Sequence, residues 1–222
     1  MTARNSAAAQ AADMRAMARR GVWQRLLAAL GVRTRRVRRA DAVAARWEHG
    51  AAGEAETARL VAALGSQGWV IRHDLRMPGS RANLDHLLVS PCGTAVVVLD
   101  SKHWHRGRTT LLVDGRVHCG TEDRQAQVDA VARYAARVAR TLDLPGVVVW
   151  PLLVVHGSPI AGGRLEARAP GWDGVVHVLG PARLVPTLAA APKVSDPARA
   201  AVVVARVDRV LVPYIPGPRR VR

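Results

Sequence analysis

Apolar residues recur along this chain in two periods, and the switches between them outline a fold. Residues 54–65 repeat at three and four, offering Ala55, Ala58, Leu60, Val61 and Leu64 to one face, with Gly65 placed to end a helix. Residues 69–75 alternate with period two, which predicts a strand. Two short apolar runs, 84–89 and 94–99, flank Pro91-Cys92-Gly93 and predict a hairpin of two buried strands. A second hairpin is predicted over 111–117, turning at Asp114-Gly115. Residues 122–142 form the longest helical pattern, ended by Pro145-Gly146. The continuous apolar run 147–155 suits a strand buried on both faces. A further strand at 175–179, helices at 182–188 and 197–210, and a Pro-rich basic tail complete the chain, with no internal repeat. Helix, three strands, hairpin, helix and strand predict an α/β fold: a mixed central β-sheet flanked by helices.

Upstream of residue 47 the pattern changes. Val22, Trp23, Leu26, Leu27 and Leu30 fall at helical spacing before Gly31, and the dense run Arg33, Arg35, Arg36, Arg38 and Arg39 follows. Residues 1–49 hold eleven arginines against Asp13, Asp41 and Glu48, so they carry +8 of the total +16. The expected organisation is a basic N-terminal extension at 1–46, a main domain at 47–156, and a C-terminal extension at 157–222 packing on or following the core.

Composition narrows the class. With 49% hydrophobic residues, the 222-residue chain is globular rather than disordered. Its charge and a pI near 11.6 call for a polyanionic partner, nucleic acid before an anionic membrane surface. The arginine run reads first as a set of phosphate contacts, next as a solvated arm, and least as the polar face of a membrane-bound helix. Cys92 and Cys119 lack the paired spacing of a zinc site. No stretch reaches the ~18 to 20 apolar residues of a transmembrane helix. Gln24 and Arg25 interrupt the apolar run that a signal peptide needs, so a cytoplasmic protein is expected.

The candidate chemistry sits in residues 83–102. Asp85 opens one predicted strand, and Asp100-Ser101-Lys102 closes the next. Side chains alternate along a strand, so Asp100 and Lys102 share a face, and a hairpin would bring Asp85 toward Asp100. Two carboxylates and an ammonium at the end of a buried sheet are costly unless an ion or substrate compensates them. A strand-end salt bridge between Asp100 and Lys102 is the plainer reading. Lysine is itself informative: among 33 Lys+Arg only Lys102 and Lys193 are lysines. A compact ammonium whose pKa its site can move suits a group that handles water.

That order of elements, with Gly50-Ala-Ala-Gly53-Glu54, Asn83-Leu-Asp85-His86, Gly93, Leu99-Asp-Ser-Lys102, Trp104, Gly107, Gln125 and Gln127, resembles the PD-(D/E)XK nuclease superfamily with its restriction-endonuclease-like core, and within it the nuclease-related domain, NERD. The resemblance covers about residues 47–156. It implies a metal-dependent nuclease hydrolysing phosphodiester bonds in DNA, with Mg²⁺ or Mn²⁺ as cofactor. Asp85, Asp100 and the backbone carbonyl of Ser101 would be metal ligands, in keeping with the oxygen preference of Mg²⁺. Lys102 would orient or help deprotonate the attacking water and offset transition-state charge. Glu54 would complete the metal shell or bind a metal-held water; otherwise it is a surface helix residue. Gln125 would position a phosphate or the water, or else serve as a helix-end amide. Gln127 lies two residues on and is expected to face elsewhere. His86 should point away from Asp85. His103 and His105 are candidates for phosphate contact rather than metal ligation, and Trp104 for core packing or base stacking. Arg33, Arg35, Arg36, Arg38 and Arg39 are the candidate nucleic-acid contacts, and a homodimer is compatible with cutting two strands. The alternative is a catalytically inactive nucleic-acid-binding module on the same fold.

Overall fold

Residues 50–214, except 78, 80, 81, 192 and 193, are described by the computed structural model. The arginine run at 33–39 and the helical pattern at 22–30 lie outside the described residues. The chain divides into two compact units, Met1–Ala55 and Glu56–Arg222. Of the first, residues 50–55 are described, as the opening turns of helix α1 at 50–62. The second holds strands Val70–Arg76 (β1), Asn83–Val89 (β2), Ala95–His103 (β3), Thr110–Val113 (β4), Arg116–Cys119 (β5) and Glu122–Asp123 (β6). Helix Gln125–Leu142 (α2), strands Val148–His156 (β7), Arg164–Ala167 (β8) and Val176–Leu179 (β9), and helices Pro181–Ala189 (α3) and Pro197–Val210 (α4) follow.

The central sheet has the order β1-β2-β3-β7-β9-β8, and β4-β5-β6 form a separate small sheet. β1, β2 and β3 pair antiparallel, whereas β3–β7, connected through α2, and β7–β9, connected through β8, are parallel. The run predicted at 147–155 is thus an interior strand, covered on both faces from Pro151 onward, with Val148 and Trp150 exposed before it. The last third of the chain also joins this unit, since β9 lies beside β7 and β8 beside β9.

Side-chain parity sorts the sheet into two layers. Val96 and Val98 of β3, Leu87 and Val89 of β2, and Leu153 and Val155 of β7 pack on α2 through Val128, Val131, Ala135 and Val138, and on α4 through Val203 and Val207. Val97, Leu99, Leu88, Leu152 and Val154 face the other way, against Val61, Leu64, Trp69 and the α3 residues Leu184 and Leu188. Each of these buried aliphatic side chains contributes about 1.5–3 kcal/mol. The same alternation decides where the polar residues at the strand ends go. Asp85, Asp100 and Lys102 continue the α2-facing layer, and Ser101 and His156 the opposite one.

The structure departs from the sequence reading at element ends. The first helix does not stop at Gly65. It tightens into a 3₁₀ turn over Ala63–Gln67 and closes at Gly68, whose φ of 84° is left-handed and whose N–H reaches Gly65 O at 3.1 Å. Residues 122–123 pair with β5 rather than opening α2, and Asp123 Oδ1 accepts the Gln125 N–H at 2.8 Å, satisfying a donor of the first turn. β8 escaped the pattern because it is an edge strand of four residues. Gly93 in the β2–β3 turn has φ 63°, and a Cβ there would lie 2.6 Å from Ala200 N. The turn therefore packs directly on the start of α4, where no side chain fits.

Candidate active site

The β2–β3 ladder ends at the pair His86 and Leu99, and one further step in that register sets Asp85 opposite Asp100. Both carboxylates act on the Lys102 ammonium, so they share one end of one sheet face. Past the last ladder pair the Ser101 N–H donates to Asp85 Oδ2 at 3.0 Å. The Lys102 ammonium forms an ion pair with Asp100 and donates to the Ser101 carbonyl oxygen at 3.3 Å. Ser101 thus touches both arms of the site through its backbone. Asp100 is largely enclosed, with 13% of its side chain exposed, and Lys102 less so, at 34%.

Burial alone would push the Lys102 pKa down, but Asp100 and Asp85 together outweigh it and hold it above the ordinary lysine range. Tyr134, on α2, acts in the same direction. Lys102 is therefore a charged ammonium at neutral pH. In that form it carries no lone pair.

On the other face of the sheet lies a polar chain that the sequence reading missed. Ser101 Oγ donates to Thr57 Oγ1 at 2.9 Å, and Thr57 lies 2.7 Å from His156 Nε2. With Thr57 donating to Nε2 the imidazole proton lies on Nδ1; with Nε2 protonated Thr57 accepts from both neighbours. His156 Nδ1 is 3.2 Å from Glu56 Oε2. Burial lowers the His156 pKa, Glu56 opposes this and His103 adds to it, so the neutral ring that this chain needs is the favoured one. Thr57 breaks the apolar face of α1, and His156 ends the apolar run of β7. Both were visible as polar residues in apolar patterns, but nothing in the sequence joined them.

The remaining predicted residues are placed as follows. Gln125 is buried, with its carbonyl accepting the Val117 N–H (3.1 Å) and its amide donating to Asp129 Oδ1 (2.8 Å) and the Arg168 carbonyl (2.9 Å). Both of its donors are engaged, so this placement supports a brace between α2, β5 and the segment after β8. Gln125→Ala is expected to strand the Val117 N–H and the Arg168 carbonyl and to cost about 2–3 kcal/mol, read from urea unfolding. Gln127 accepts the Trp104 Nε1–H at 2.7 Å, with the Arg124 guanidinium 5.6 Å from that ring. Trp104 is 3% exposed and belongs to the core, which closes its ring to base stacking. His86 points away from Asp85 into the opposite layer, its Nδ1 2.7 Å from His73 Nδ1 on β1. His105 is exposed and accepts the Gly107 N–H at 3.1 Å. Glu54 is half-buried in α1, three residues before Thr57.

A six-stranded mixed sheet flanked by helices is compatible with the restriction-endonuclease-like nuclease fold, and Asp85 and Asp100-Ser101-Lys102 occupy its neighbouring central strands. Residues 49–156 match the family model of the nuclease-related domain, so this stretch is a NERD domain, consistent with a NERD protein of the nuclease superfamily. No curated protein and no solved structure matched in the corresponding comparisons. Among the described residues no helix is long and apolar enough to cross a membrane. No cluster of three or more His, Cys, Asp or Glu suited to a metal occurs among them either. Two carboxylates and a backbone carbonyl are all hard oxygen donors. That set fits Mg²⁺, which keeps several waters and is commonly held by one or two carboxylates plus substrate phosphate.

Proposed function

We propose that this protein is a divalent-metal-dependent nuclease that hydrolyses phosphodiester bonds in DNA. The observation that supports this reading is Lys102, ion-paired with Asp100 and under the charge of Asp85, whose carboxylate accepts the Ser101 N–H. Asp85, Asp100 and the Ser101 carbonyl would hold Mg²⁺ or Mn²⁺. When bound, such an ion polarises a phosphoryl oxygen and lowers the pKa of water. The Ser101 N–H fixes the direction of the Asp85 carboxylate. Lys102, kept charged by its surroundings, orients water and offsets the negative charge that builds on the phosphoryl group. The basic arm adds sequence-independent attraction to the phosphate backbone.

An inactive DNA-binding module is favoured by one observation: Lys102 already neutralises Asp100 without any ion. Divalent metal separates the two readings. Supercoiled, linear and single-stranded DNA are incubated with the purified chain in Mg²⁺, Mn²⁺ or chelator. A nuclease cuts at least one form with metal and none with chelator. Binding with no cleavage under any of these conditions assigns the inactive module.

A further inference from the structure

Past Leu99, β3 has lost its ladder to β2, and on that side only the Asp85 carboxylate holds the Ser101 N–H. On the other side the parallel pairing with β7 continues, Ser101 against Val154. Yet Ser101 anchors both halves of the site, through its N–H to Asp85 and its carbonyl to Lys102. Its side chain turns to the opposite layer and enters the chain Ser101–Thr57–His156, whose members are 6%, 0% and 2% exposed. The neighbours in that layer, Val97, Leu99 and Val154, are apolar. Three buried polar side chains there cost free energy unless each is paired, and aliphatic residues would fill the space without that demand. Along the chain the Ser101 hydroxyl gives to Thr57 and Thr57 meets His156 Nε2, while His156 Nδ1 lies 3.2 Å from Glu56 Oε2 without a hydrogen bond.

We propose that Thr57 is a positioning residue, which, braced by His156, fixes Ser101 from behind the sheet and so sets the carboxylate of Asp85 and the ammonium of Lys102. This rests on the reading of Asp85 and Asp100 as a divalent-metal site and adds a determinant on the sheet's other face. Partners one shell out from the ligands orient them, and their loss typically weakens metal affinity or activity 10- to 100-fold.

The test is calorimetric titration of the full chain with Mg²⁺ and Mn²⁺, which needs no turnover. Thr57→Val keeps the shape and removes the hydroxyl; it should weaken affinity by about 10- to 100-fold, and Thr57→Ser should restore most of it. Ser101→Ala removes the other end of the same hydrogen bond and should weaken affinity comparably. The double variant should be no worse than either single one, because both break one chain. In DNA cleavage, kcat should fall with KM for DNA unchanged. A lower Tm with unchanged metal affinity, losses that add, or failure of Thr57→Ser to rescue would each overturn the positioning role. If Thr57→Val does not fold, Ser101→Ala and Thr57→Ser decide the matter. A wild-type chain that binds neither ion overturns the metal-site reading, and the positioning role with it, before any variant is compared.

Discussion

Asp100→Asn is expected to remove most metal-dependent DNA cleavage, and Lys102→Ala to lower it by about 10² or more. A neutral amide is a poor ligand for a hard cation, so the first substitution acts on metal binding. It also takes away the largest favourable partner of the Lys102 ammonium. The second acts on charge: a side chain held above its usual pKa by two aspartates is a fixed positive element of the site. Its loss removes the ammonium paired with Asp100, which is mostly enclosed. Lys102→Arg is not a conservative control, because a planar guanidinium spreads its charge and cannot take the compact position of an ammonium. Nicking of supercoiled DNA at saturating Mg²⁺ measures both effects, with circular dichroism confirming that the variants fold. Wild-type rates from both variants would sink the assignment of the site.

Deletion of residues 1–40 should weaken DNA binding and flatten its dependence on salt. Arg33, Arg35, Arg36, Arg38 and Arg39 have only Asp41 and Glu48 as nearby acids in the sequence, so most of their charge is uncompensated. Each phosphate contact releases condensed counter-ions, and losing about four contacts would reduce the slope of log affinity against log salt by roughly 3.6. The change should be alike across DNA sequences, because phosphate contacts position a protein without specifying bases. Cleavage per bound complex should persist, since none of the proposed catalytic residues lies in the arm. Fluorescence anisotropy at several salt concentrations supplies the slope. A slope that deletion leaves unchanged would remove the phosphate-contact role and leave the solvated arm or a membrane contact.

Most of the sheet was legible before any coordinates. Strand-period alternation marked β1, and continuous apolar runs marked β2, β3 and β7, because burial on one or two faces imposes those patterns directly. The turn signal at Asp114-Gly115 was equally local; both residues have positive φ, as a tight hairpin turn demands. Element ends were less legible, because they depend on partners. Helix α1 runs past Gly65 since Gly68 is the residue that closes it, and residues 122–123 became a strand because β5 was there to pair with them.

For the candidate site, parity and spacing in the sequence alone determined that Asp100 and Lys102 share a face, that Ser101 turns from it, and that Asp85 stands on the strand before. These follow from strand geometry, which any chain with this pattern must obey. What only the tertiary structure decided is what each polar group spends its hydrogen bonds on. Gln125 and Gln127 are two residues apart and equally polar, yet one braces Val117 and Arg168 and the other holds Trp104. Thr57 and His156 are 99 residues apart and meet at 2.7 Å, brought together by packing alone. The difference is physical: burial periodicity is written into neighbouring residues, whereas a buried donor takes whichever acceptor the packing of distant elements brings within reach.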